Sequence, residues 1–198
     1  MRVSGAAQRR ASPFIDGEAS VKARTLLLAL FALFVSSAAF AQEPVVGVAD
    51  PESLFKDGDA KLNRNKQAAL HIMRELLQCG QWDRSGEWLT DKYIQHNPNA
   101  ASGRAGVVQF FTQVMKVQRQ ANCGKLTTPV VAVMADDDYV TVLIARSYPD
   151  PRSAGKTYST SWFDTWRFVD GKADEHWDPA TITPPPPRRP LSCQPEAR

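Results

Sequence analysis

YSTSWFDTWRFVDGKADEHWDPATI, residues Tyr158 to Ile182, is the stretch that decides the fold. Trp162, Asp164 and Trp166 alternate with Phe163, Thr165 and Arg167, the period of a strand. Asp170-Gly171 marks a hairpin turn, and a second strand follows in which His176 and Asp178 flank Trp177. Loop length sets what faces what. A two-residue loop pairs Arg167 with Asp174 and puts Asp164 opposite Trp177. A three-residue loop, Val169 to Gly171, pairs Phe168 with Lys172, Asp164 with His176 and Trp162 with Asp178. A slip of one residue turns every side chain to the other face. The three-residue loop is the expected one. It gathers Asp164, His176 and Asp178 on one face and leaves Arg167 with Glu175 on the other. A carboxylate on a wall of Trp and Phe is costly unless it is paired or used. Such walls are also where proteins make general bases.

Upstream, period-two patterns predict strands over Leu126–Ala135, Tyr139–Tyr148 and Thr157–Val169, and Ala173–Ile182 completes the hairpin. Asp136 to Asp138 forms a solvated turn, with no EF-hand pattern after it. Before the strands come helical patterns. Asn63–Cys79 repeats Ala68, Ala69, Ile72, Met73, Leu76 and Leu77 at helical spacing and stops at Gly80. His71 falls off that stripe and reads as a solvated surface residue. Asp83–Thr90 reads as a short helix, and Tyr93–Pro98 as an extended piece ended by a turn. Ser102 is the expected N-cap of a helix over Arg104–Val117, with Val107, Val108, Phe110, Phe111, Val114 and Met115 inward. Helices first and a curved antiparallel meander after them give an α+β fold in which helices and sheet enclose a cone-shaped pocket.

The ends read differently. Val21 to Ala41 has a basic start (Lys22, Arg24), an apolar core from Thr25 to Val35 and the small-residue pattern Ala39-Phe40-Ala41. It is the pattern of a signal peptide cleaved before Gln42, which implies a periplasmic or secreted protein with no membrane attachment after cleavage. The apolar run is short for a membrane span. Residues 1–20 precede a complete signal. They point to a true start at Val21 or, alternatively, to a twin-arginine leader through Arg9-Arg10. The chain holds 24 Lys and Arg against 21 Asp and Glu, but five of those cations and two of those acids lie in residues 1–41. The remainder is neutral, without the basic footprint of a nucleic-acid binder. It divides into a polar lead (42–60), one domain (61–183) and a proline-rich tail (184–198) that cannot join a sheet. Cys79, Cys123 and Cys193 all lie beyond the leader. In an oxidising compartment a Cys79–Cys123 disulfide is plausible, although spacing leaves Cys193 open as a partner of either. There is no CxxC or Cys/His zinc pattern, and no cofactor or metal is expected.

Tyr93-Ile94-Gln95-His96-Asn97-Pro98, the helix after it, and the late FDTWR, DGK and EHWD motifs together resemble the SnoaL-like proteins of the nuclear-transport-factor-2-like superfamily. The resemblance spans roughly Lys61 to Ile182. It implies the cone fold and often a homodimer through the outer face of the sheet. In polyketide cyclases of this family a pocket aspartate is the acid/base of an aldol closure, and histidine and asparagine side chains help hold substrate. By motif, Asp164 becomes the base and His176 its partner. His96, Asn97, Tyr93, Trp162, Trp166 and Asp178 become the substrate-binding set. An export signal sets this chain apart from cyclases that work in the cytoplasm beside a synthase.

Function has three readings. In the first, Asp164 abstracts a proton beside a carbonyl of a small hydrophobic compound while His176 or Tyr93 stabilises the enolate, as in isomerase, cyclase or dehydratase chemistry. In the second, the pocket only binds a small hydrophobic ligand. In the third, His96, His176 and Asp178 hold a metal. Structural roles compete for each residue: an ion pair with Arg167 or an indole bond for Asp164, a bond to a neighbouring carboxylate for His176, a turn contact for His96.

Overall fold

The computed structural model describes residues 43–182. The chain divides into two compact units, Met1–Glu43 and Pro44–Arg198, and every helix and strand among the described residues belongs to the second. The leader and the proline-rich tail lie outside the described residues.

The second unit opens with chain that is already packed. Val48 N donates to Val130 O, and Phe55, at the end of a 3-10 turn over Pro51–Phe55, is fully buried. The folded body therefore begins ahead of Lys61, because one aromatic in the otherwise polar lead is enough to anchor it. Helix α1, Ala60–His71, starts at Asp59, whose carboxylate accepts from the amides of Lys61 and Leu62. It continues as a π-helix over Ile72–Gln78. The Cys79 amide bonds to Arg74 O, and Gly80, with φ +65, ends the helix. Cys79 is joined to Cys123. The expected face is buried (Ala68, Ala69, Ile72, Met73, Leu76). His71 is not free in solvent: its ring stacks on Trp88 and its Nδ1 lies 2.6 Å from Glu75.

Helix α2 is a single turn, Ser85–Trp88, and strand β1 runs Leu89–Gln95. Helix α3, Arg104–Gln109, follows Gly103 rather than a serine cap. Ser102 Oγ instead accepts from the Gln95 amide. A π turn over Phe110–Val114 rotates the last residues outward, so Val114 and Met115 are exposed where helical spacing placed them inside.

Strands β2 (Val130–Asp136), β3 (Tyr139–Pro149), β4 (Thr157–Val169) and β5 (Lys172–Trp177) form the predicted meander. The sheet order is β1-β5-β4-β3-β2. One detail of the antiparallel expectation is corrected, since β1 adds to β5 in parallel and makes a curved, mixed, open sheet. The α+β class stands.

The hairpin takes neither expected register. Val169 pairs with Lys172 across the two-residue loop Asp170-Gly171, both at positive φ, which is the turn this dipeptide favours. Phe168 then pairs with Ala173, but Arg167 pairs with Glu175. Asp174 is the extra residue of a bulge. The added residue restores the facing that a three-residue loop would have given. His176 thus shares a face with Asp164 and lies directly opposite Trp166. The inner face of β3 and β4 carries Val140, Val142, Ile144, Trp162 and Trp166, packed against α1 and its π extension in one core.

Candidate functional site

Between that inner face and the helices lies a cavity of about 670 Å³. Ile72, Met73, Leu76, Phe110 and Phe111 line its helical side. Its polar residues come mainly from three places in the sheet: Tyr93, Gln95 and Asn97 on and beyond β1, Asp164 on β4, and His176 and Asp178 on and beyond β5.

Asp164 and His176 are both buried, 7% and 6% exposed. Among the described residues no arginine or lysine reaches Asp164. Its Oδ1 accepts from Trp162 Nε1 at 3.2 Å and lies 3.3 Å from His176 Nε2. The other ring nitrogen of His176, Nδ1, is 2.8 Å from Gln95 Oε1. That oxygen also accepts from the Asn97 backbone amide at 3.1 Å. A backbone N–H can only donate, so the Gln95 atom there is an oxygen and Nδ1 must carry hydrogen. Nε2 then meets Asp164 Oδ1 in one of two ways: imidazolium to carboxylate, or neutral ring to carboxylic acid. Either way one proton lies between them.

Tyr93 is 4% exposed, and its Oη accepts from Trp166 Nε1 at 3.2 Å. Burial pushes the phenol up, beyond what the indole bond can offset, and the charges of Asp164 and Asp178 push the same way. Tyr93 therefore keeps its hydrogen, which has no acceptor among the described residues. Asp178 accepts from Asn97 Nδ2 at 2.8 Å and from the Ala180 amide at 2.9 Å. Asn97 Oδ1 is occupied by the Asn99 amide, which fixes the orientation of its side chain.

His96 is not with this group. Gln95 pairs with His176, so the next residue faces the opposite side of the sheet. There His96 Nε2 lies 2.8 Å from Glu175 and the ring stacks on Trp177. A metal set of His96, His176 and Asp178 is thereby excluded. Asp164, His176 and Asp178 do converge, with one ligand atom from each inside 4.8 Å of the others, a donor set able to hold a divalent cation.

Two contributors escaped the sequence reading. Gln95 was visible in the alternation Tyr93, Gln95, Asn97, which puts it on the inner face and His96 on the outer one. Arg146 lies two residues beyond Ile144 on the same face, with Cζ 3.7 Å above the Trp162 ring. Nothing local marks it, because its place depends on the β3–β4 register.

A family model of the SnoaL-like domain matches residues 71–176, just over half of the 198-residue chain. The chain belongs to the SnoaL-like family. Curated proteins offer this SnoaL-like chain no match. Solved structures do. A protein described as a polyketide cyclase from Acidithiobacillus ferrooxidans is 18% identical, over 62% of this chain and 89% of its own, with a TM-score of 0.43. One described as a SnoaL-like polyketide cyclase from a Jannaschia species is 17% identical, over 63% and 91%, at 0.44. TsrD from Streptomyces laurentii is 16% identical, over 62% and 90%, at 0.38. Likenesses this distant decide nothing about the reaction of this SnoaL-like protein.

Proposed function

We propose that this protein is an exported acid/base catalyst of enolisation, acting on a small hydrophobic carbonyl compound in isomerase, cyclase or dehydratase fashion. The observation that carries the reading is the Asp164–His176 contact at the polar end of the cavity, with the far side of the imidazole held by Gln95. Asp164 as carboxylate takes the proton from the carbon beside the carbonyl. The C–H electron pair moves into the new carbon–carbon double bond, and charge collects on oxygen. Tyr93, held in its O–H form, donates to that oxygen. The proton accepted by Asp164 returns to carbon, while His176, which carries hydrogen on both nitrogens when Asp164 is ionised, holds the carboxylate in place. Ketones of the size the cavity admits would bury their apolar parts against Met73, Leu76 and Phe111.

Supporting export are the leader pattern and the Cys79–Cys123 disulfide, a bond that persists in oxidising compartments. The reading includes a homodimer through the outer face of the sheet, where Met134, Tyr139 and Phe163 are exposed. N-terminal sequencing of the exported protein should begin at Gln42, and light scattering should give twice the chain mass.

The test of the chemistry is solvent-deuterium uptake by a panel of ketones and β-keto esters. Uptake that the protein accelerates, and that Asp164→Asn abolishes, supports enolisation. No uptake across the panel makes the cavity a non-catalytic binding site for a hydrophobic ligand.

A further inference from the structure

Six of the eight arginines among the described residues are held by a carboxylate: Arg74, Arg84, Arg104, Arg119, Arg152 and Arg167. Arg64 and Arg146 are not. Arg64 lies against the turn glycine Gly171, away from the cavity. Arg146 lines the cavity and is half-buried. Its guanidinium lies over Trp162, and its N–H groups have no acceptor among the described residues.

The position is built. β3 and β4 pair Ile144 with Trp162 and Arg146 with Thr160, so Arg146 is the diagonal neighbour of Trp162 on the inner face. The indole holds the cation on its ring while its Nε1–H holds Asp164 at the edge. One indole therefore separates the cation from the proposed base. Contact with the ring face positions the guanidinium, and its N–H groups, without an acceptor among the described residues, can meet a planar oxyanion with two parallel hydrogen bonds. The carboxylate of Asp178, which converges with Asp164 and His176, repels a negative group at that end, while the Asp164–His176 pair, sharing one proton, is neutral overall.

We infer that the ligand of this cavity is an amphipathic carboxylate: an apolar, flat-bodied molecule whose carboxylate is gripped by Arg146 while its carbonyl end lies toward Asp164 and His176. The inference rests on the enolisation reading for the carbonyl end alone. The carboxylate end stands on Arg146. Charge orients the molecule, since only one arrangement places its anion at Arg146 and away from Asp178.

Calorimetric titration of the mature, disulfide-bonded protein with 2-naphthoate and with its neutral isostere 2-naphthamide tests this. Wild type should bind the naphthoate about tenfold more tightly, the equivalent of one charge-assisted contact. Arg146→Met, which keeps the apolar stem over Trp162, should bring the naphthoate down to the amide and leave the amide unchanged. Arg146→Lys keeps the charge and loses the fork, and should retain part of the preference. Asp164→Asn should keep all of it, which separates this inference from the chemistry: absent enolisation leaves the preference standing, and absent preference leaves enolisation standing. Equal binding of the two compounds, binding of neither, or a preference that survives Arg146→Met would overturn the proposal.

Discussion

The β4–β5 hairpin carries charged groups on both faces, and the two faces treat them in opposite ways. At the bulge and on the outer face, Arg167 bonds Asp174 at 2.6 Å and Glu175 at 3.0 Å, Glu175 also meets His96, and Asp174 accepts from Thr90. Both carboxylates are held below their ordinary range. For Glu175 the His96 bond does most of this. For Asp174 burial alone would raise it, and the bonds from Thr90 and Arg167 outweigh that. On the inner face Asp164 is as well shielded as Asp174, yet its partners are an indole and an imidazole. Burial is shared; compensation is not. A carboxylate locked to a guanidinium has its proton chemistry settled. One facing a histidine across a single proton can still exchange that proton with a substrate.

Substitutions should split along this line. The largest effect expected is from Asp164→Asn, which should lower deuterium exchange about 10³-fold while leaving the denaturation midpoint nearly unchanged. Next, Tyr93→Phe should lower the rate of exchange about 10²-fold by removing the donor to the enolate oxygen, read as a fall in kcat at similar KM. On the outer face the pattern should reverse. Arg167→Met should cost about 2 kcal/mol of stability in urea, since it leaves Asp174 and Glu175 short of a partner, and should spare exchange. Loss of exchange in Arg167→Met at full stability would erase the distinction between the faces.

The smallest effect is a pH slope. Asp174 and Glu175 sit below their ordinary values of 3.8 and 4.5. Their contribution is therefore complete above the unfolded range and is lost as pH falls through the lowered folded values. Stability should decline below about pH 4.5 in wild type and decline less steeply in Glu175→Gln, by urea titration at a series of pH values. A slope of equal size in both would remove the outer network from the acid response.

The fold was legible because its signals are local and repeated: alternation in β3 and β4, helical spacing through α1, Asp-Gly at the turn. The Thr157–Val169 strand has its predicted bounds. The bulge at Asp174 was not legible, since a strand accepts an extra residue only when its neighbours leave room, and here Arg167 and Thr90 capture its side chain. The facing of Asp164 and His176 nevertheless matched, because a two-residue turn plus one bulged residue has the parity of a three-residue turn. His96 was misplaced by reading its motif without its alternation. The π segments, which put Val114 and Met115 outside, depend on hydrogen bonds to the fifth residue back that helical spacing cannot show. Arg146 required the β3–β4 register, a relation between two residues far apart in the chain, Arg146 and Trp162, that no motif contains.

The most direct test of the inner face is nitrogen-15 NMR of the His176 ring in wild type and in Asp164→Asn. The account predicts a protonated Nδ1 in both forms, held by Gln95, and an Nε2 signal that moves when Asp164 is replaced. A ring with bare Nδ1 would contradict the tautomer that Gln95 imposes, and an Nε2 indifferent to Asp164 would mean that the two residues share no proton.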